Sequence, residues 1–178
     1  MEGKEAKAII EALLFISGQP LSMAEIKRIL ELGEAEIKGL LEEFRTEYDM
    51  RGSGLQVAEV AQGYQIVTRQ QYAPWVRKLA NITVSAKLSQ AALETLAIVA
   101  YKQPAIKAEI EAIRGVNSDG VMKTLLERSL IKILGRREMP GRPLMYGTTK
   151  EFLQYFGLKD LSDLPTLKEF DDVEKVAS

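Results

Sequence analysis

Along the first fifty residues the apolar positions recur at helical spacing. Ile9, Ile10, Leu13, Leu14 and Ile16 share one stripe, and Gly18-Gln19-Pro20 stops it. Ser22-x-x-Glu25 reads as a capping box, because a hydroxyl and a carboxylate three residues apart can satisfy the orphan amides of a helix start. Ile26, Ile29 and Leu30 form the buried stripe of that helix, and Gly33 follows its end. Ile37, Leu40, Leu41, Phe44 and Tyr48 then fall at i, i+3, i+4, i+7 and i+11, the clearest amphipathic helix in the chain. Beyond Gly52-Ser53-Gly54 the pattern changes to alternation. Residues 55–60 and 64–68, joined around Gly63, read as a β-hairpin.

The same order returns 84 residues later. Gln19-Pro20 and Ala24-Glu25-Ile26 align without a gap on Gln103-Pro104 and Ala108-Glu109-Ile110, and the flanking apolar stretches agree in character. Ser89 is placed to cap a helix over residues 90–101. A short helix follows over about 107–114, and a third over about 117–129. Residues 130–134 and 144–148 read as strands. Met139-Pro140-Gly141-Arg142-Pro143 is the loop between them, since proline cannot donate to a ladder. Three helices followed by a hairpin is the winged-helix plan. The expected fold is therefore mainly α with small β-hairpins (α+β): two tandem winged-helix domains over residues 1–80 and 81–157, each small enough that its core is modest. Residues 70–85 are expected to begin as a short helix and become a linker near Asn81-Ile82-Thr83. Thr148-x-x-Glu151 is expected to cap a brief helix that Gly157 ends, and residues 158–178 to form a flexible acidic tail.

Composition narrows the chemistry. The 178 residues contain no cysteine and no histidine. This removes disulfides, thiol nucleophiles, iron–sulfur clusters, the usual zinc sites and the commonest general base near neutral pH. No convergent catalytic set is visible, so the chain reads as non-enzymatic, with no cofactor and no metal. Gly52-Ser53-Gly54 lacks the spacing of a phosphate loop, and Asn117-Ser118-Asp119-Gly120 lacks the further ligands of a calcium loop. No apolar run approaches a membrane span, and Glu2 and Glu5 argue against a secretory signal, so a cytoplasmic location is expected. The net charge of −1 hides an asymmetry. Residues 81–150 hold 11 basic and 6 acidic side chains, whereas residues 1–80 hold 10 and 12 and residues 151–178 hold 3 and 7. Only the middle block can attract nucleic acid by charge. In the first domain the third helix carries Glu34, Glu36, Glu42, Glu43 and Glu47, which a phosphate backbone repels. In the second, Asp119 and Gly120 suit groove reading poorly. Lys132, Arg136, Arg137 and Arg142 around the wing could contact phosphates, and a DNA-binding wing is the alternative reading.

Several segments resemble one family. They are Leu88-Ser89-Gln90-Ala91-Ala92-Leu93-Glu94-Thr95-Leu96, continuing to Tyr101-Lys102-Gln103-Pro104; Ile113-Arg114-Gly115-Val116-Asn117-Ser118-Asp119; Leu125-Leu126-Glu127-Arg128; and Pro140-Gly141-Arg142-Pro143-Leu144-Met145-Tyr146-Gly147-Thr148-Thr149. In this order they are similar to segregation and condensation protein B, and Glu11-Ala12-Leu13-Leu14-Phe15 and Gly18-Gln19-Pro20-Leu21 extend the likeness to the first half. The resemblance implies a non-catalytic subunit of the bacterial condensin. Such a subunit is a homodimer formed mainly through its N-terminal domains. It binds the kleisin ScpA, and through it the SMC ATPase, and serves chromosome condensation and segregation during cell division at the nucleoid. On that resemblance Tyr101, Gln103, Arg142 and Tyr146 are the candidate kleisin contacts, and Leu40, Phe44 and Tyr48 the candidate dimer surface. A plainer reading stands beside it: Pro143 and Gly147 shape the wing, Tyr146 packs, Tyr101-Lys102-Gln103-Pro104 is a helix stop, and the stripe from Ile37 to Tyr48 is core. Only Arg142 has no evident structural need.

Overall fold

A computed structural model describes residues 3–79 and 87–166. It divides the chain into two compact units, Met1–Thr83 and Val84–Ser178. The linker expected near residues 81–83 lies outside the described residues.

The first unit runs α1 (Gly3–Ile16), β1 (Leu21–Ser22), α2 (Met23–Leu30), α3 (Glu34–Met50), β2 (Leu55–Val60) and β3 (Gly63–Thr68). A 3-10 turn (Gln70–Tyr72) and α4 (Ala73–Leu79) follow. The sheet is antiparallel in the order β1-β3-β2, so the strand between the first two helices closes on the hairpin. Ile10, Leu14, Ile26, Ile37, Leu41 and Phe44 meet in its core. Ser22 caps α2 as expected, accepting the Glu25 amide at 3.3 Å while the Glu25 carboxylate accepts the Ser22 amide at 2.9 Å. Two turns differ from expectation. α2 ends at Glu31, which is left-handed at φ 56°, and Gly33 instead begins α3. The hairpin reverses at Ala61 and Gln62, both left-handed at φ 50° and 62°. Gly63 is the first residue of β3, where a Cβ would lie 2.8 Å from the Leu21 carbonyl oxygen. The glycine admits β1 and does not form the turn.

The second unit repeats the order: α5 (Gln90–Lys102), β4 (Ala105–Ile106), α6 (Lys107–Arg114), α7 (Asp119–Glu127), β5 (Ile131–Arg136) and β6 (Leu144–Thr148), then α8 (Lys150–Phe156). Its sheet has the equivalent order β4-β6-β5. The 84-residue offset carries β1 onto β4 and α2 onto α6 residue for residue. It also explains why Glu and Ile recur. Glu109 accepts the Ile106 amide at 3.0 Å, as Glu25 does for Ser22, and Ile26 and Ile110 are both fully buried. Ser89 caps α5 by accepting the Ala92 amide. The cap of α8 is Thr149, which accepts the Phe152 amide at 3.1 Å, and not Thr148, which ends β6. Gly157 closes α8 with φ 67°. Within the stretch expected as an acidic tail, Leu161–Asp163 form a 3-10 turn. Residues 167–178 lie outside the described residues.

Candidate partner-binding surfaces

α5 is apolar on two faces. One, with Ala92, Leu96 and Val99, is buried in the core. The other carries Leu93, Ala97 and Tyr101 at four-residue intervals and faces Phe152 and Phe156 of α8 across a groove of about 360 Å³. The chain beyond α8 lines this groove with Leu158, Leu164 and Pro165. Tyr101 Oη donates a 2.6 Å hydrogen bond to the Pro165 carbonyl. Leu93, Tyr101 and Phe156 nevertheless remain 39%, 41% and 43% exposed, an apolar trio that the other described residues leave partly open.

Of the four candidate kleisin contacts, only Tyr101 lies in the groove. Gln103 is an internal bracket. Its Oε1 accepts the Thr148 amide at 2.8 Å, and its Nε2 donates to the Ala100 carbonyl and to Thr148 Oγ1. Gly147 makes room for it, since a Cβ there would stand 2.8 Å from that Oε1 and 2.7 Å from Leu134 Cδ1. Tyr146 is half-buried in β6, opposite Ala105 and Ile133. Arg142 occupies the wing turn at φ 39°, and its side chain is exposed.

The basic wing is partly committed to its own unit. Arg137 forms an ion pair with Glu109 and donates to the Pro104 carbonyl at 2.7 Å, which ties the wing to α6. That guanidinium, helped by the Ile106 amide, holds the Glu109 carboxyl below the usual carboxylate range. Arg136 donates to the Arg142 carbonyl at 2.9 Å. Lys132 and Arg142 are left exposed to solvent.

In the first unit the structure corrects the expected dimer surface. Leu40, Phe44 and Tyr48 are only 8%, 3% and 3% exposed and belong to the core of their own unit. Phe44 and Tyr48 meet edge to face at 4.7 Å. Tyr48 Oη donates to Glu11 at 2.9 Å, and Arg51 lies over its ring. Burial, with the Glu11 carboxylate, raises the Tyr48 phenol above its ordinary range. The bare apolar surface lies elsewhere. Tyr72, Trp75, Val76 and Leu79 fall at i, i+3, i+4 and i+7 and are 36%, 65%, 37% and 88% exposed. α4 buries none of its side chains. Ile16 and Ile29, expected in buried stripes, are exposed as well.

The family model described as "Segregation and condensation complex subunit ScpB" matches residues 8–167. The chain belongs to this family. It is 49% identical to segregation and condensation protein B of Syntrophotalea carbinolica, over 98% of this chain and 88% of the relative. Among solved structures, ScpB from Mycobacterium tuberculosis is 36% identical, covering 89% of this chain and 98% of that one, with a TM-score of 0.44. A crystal structure described as a dimer of ScpB N-terminal domain complexed with ScpA peptide is 38% identical over 43% of this chain and 95% of that one, with a TM-score of 0.41.

Apart from Tyr101, sequence reasoning on this family member missed both bare surfaces for identifiable reasons. The helical spacing of Tyr72, Trp75, Val76 and Leu79 is present in the sequence, and a short helix is expected there, but spacing alone does not say whether its apolar side chains face a core or a partner. At the groove, acidic neighbours mask Leu158 and Leu164. Among the described residues no helix is long and apolar enough to cross a membrane, and no group of three or more Asp and Glu is arranged to hold a metal ion.

Proposed function

We propose that this ScpB-family chain is a non-catalytic adaptor of the SMC–kleisin complex. Its second unit receives an apolar segment of the kleisin ScpA in the α5–α8 groove, and its first unit pairs with a second copy through the Tyr72–Trp75–Val76–Leu79 face. It reaches the SMC ATPase through ScpA and serves chromosome condensation and segregation at the nucleoid, in the cytoplasm. The carrying observation is the groove, where Leu93, Tyr101 and Phe156 stand half-exposed around an apolar channel in a chain of this family. Each of these side chains is already more than half buried, so covering the remainder adds roughly 0.5–1 kcal/mol apiece, and the neighbouring apolar lining adds to it. The charge balance argues the same way. With Arg137 paired to Glu109, the wing offers Lys132, Arg136 and Arg142 as cations, and about three phosphate contacts give only a modest salt dependence and weak DNA binding.

Calorimetric titration of the full chain with the central segment of its ScpA, at low and high salt, tests the adaptor. Binding that persists at high salt with a negative heat-capacity change is expected. Phe156→Ala should weaken it by about 10-fold or more, the equivalent of roughly 1.4 kcal/mol or above. Absence of binding at both salts overturns the reading, and binding that collapses with salt returns the wing to first place. For self-association, light scattering should give twice 19.8 kDa for the parent chain and the single mass for Trp75→Asp. A parent chain of single mass at micromolar concentration overturns the dimer.

A further inference from the structure

One side of the groove is formed by a later segment of the same chain. Leu158 donates its amide to the Leu153 carbonyl at 2.9 Å, which fixes the point where the strand leaves α8. Asp160 and Asp163 then set the turn from within. Asp160 Oδ1 accepts the Ser162 amide at 2.7 Å, and Asp163 Oδ2 accepts the Lys159 amide at 2.8 Å. The chain emerges with Leu164 extended, at φ −66° and ψ 131°, and half-buried Leu164 and exposed Pro165 line the groove. These angles are those of a polyproline-II segment, which proline favours and which needs no internal hydrogen bond. The polar contact from the groove wall to this dipeptide is the Tyr101 hydroxyl on the Pro165 carbonyl.

We infer that the α5–α8 groove is a receptor for an extended apolar-residue–proline segment, and that Leu164-Pro165 is its built-in competitor. The inference rests on the proposed kleisin adaptor in one respect: the incoming segment is taken to be ScpA's. The specificity comes from the chemistry of the dipeptide held at the groove's edge. Phe152, Phe156 and Leu93 supply apolar walls, a proline lacks the amide that such walls cannot satisfy, and Tyr101 supplies one donor for one carbonyl. A phenol has a single O–H. A partner carbonyl and the Pro165 carbonyl therefore cannot both be held, and the two segments exclude one another. Partial filling by the strap fits this role, because the trio left half-exposed is surface that a longer incoming segment covers and the strap does not.

The test uses the full chain and its Leu164→Asp variant, which removes the apolar anchor of the strap and leaves the α5 and α8 walls intact. A labelled peptide of residues 158–166 should bind the variant in trans. The same peptide carrying Leu164→Ser and Pro165→Gly should not. The ScpA central segment should displace the bound peptide. It should also bind the variant more tightly than the parent chain, by about tenfold if the strap is seated nine-tenths of the time. Equal ScpA affinity for variant and parent overturns the competition and leaves the adaptor standing. ScpA binding to neither chain overturns the adaptor, and peptide capture then decides the ligand class alone. Failure of the peptide to bind the variant, or equal binding of the substituted peptide, overturns the receptor.

Discussion

The two units part company after their hairpins. In the first, the residues beyond β3 form α4, whose apolar positions all face outward. In the second, the residues beyond β6 form α8, which buries Phe152 and Leu153, and the chain after it lines the same groove. The helix stops differ too. Gln19 is exposed, whereas Gln103 at the same place in the repeat brackets α5 to β6. The elements that survive in both copies are those that satisfy backbone groups or fill the core, Glu25 with Glu109 and Ile26 with Ile110. The elements that differ lie where partners can reach. Duplication kept the scaffold and let the edges specialise.

The largest contrast is expected at the two close-packed glycines. At Gly63 the obstructing atoms are Leu21 and Pro20 backbone, which cannot swing aside, so Gly63→Ala should destabilise the first unit by about 3 kcal/mol. At Gly147 the obstructing atoms belong to side chains, and Gly147→Ala should cost the second unit about 1–2 kcal/mol. Denaturant unfolding followed by amide exchange at Tyr64 and Thr148 separates the units, and equal effects would dissolve the distinction. Next in size is the bracket. Gln103→Ala leaves the Thr148 amide and the Ala100 carbonyl without that partner and should cost about 1–3 kcal/mol, while Gln19→Ala should stay within about 0.5 kcal/mol. A comparable loss at Gln19 would mean that the two stops are equivalent after all.

The smallest effect concerns acid. The Glu109 carboxyl is held low by Arg137 and the Ile106 amide, so its contribution is present in full above the ordinary value of 4.5 and fades as pH falls through the lowered folded value. Glu109→Gln should therefore reduce the stability of the second unit at neutral pH and shrink its loss between neutrality and strong acid. A pH series of Thr148 exchange checks both parts, and an unchanged acid limb would show that the Arg137 pair does not couple to folding. Asp119, lowered by Lys107, remains to supply part of that limb.

Much of the fold was legible because its signals are local. Helical stripes such as Ile37 to Tyr48, the caps at Ser22 and Ser89, and the duplicated Gln-Pro and Ala-Glu-Ile all follow from spacing and short-range hydrogen bonding. β1 and β4 were not legible, since two residues cannot display a period of two. The left-handed Glu31, Ala61 and Gln62 were hidden because tertiary packing imposes a conformation that the neighbouring glycines are better suited to take. Thr148 and Thr149 differ by one position, and only the course of β6 decides which of them caps α8. The candidate site was legible in one residue, Tyr101. Whether an apolar side chain faces a core or a partner depends on the surface opposite it, and that is set by contacts distant in sequence.

The sheet order has a consequence for biosynthesis. Each sheet is closed by its last strand, with β1 waiting for β3 and β4 waiting for β6. During translation α1, α2 and α3 must persist as a loose cluster, Ile10, Ile26 and Ile37 still within reach of chaperones, until Thr68 has cleared the ribosome. From that point the N-terminal unit can complete its fold while the second is still being made. A ribosome stalled soon after β3 has emerged should therefore display a protease-resistant N-terminal nascent chain, and one stalled before β3 should not.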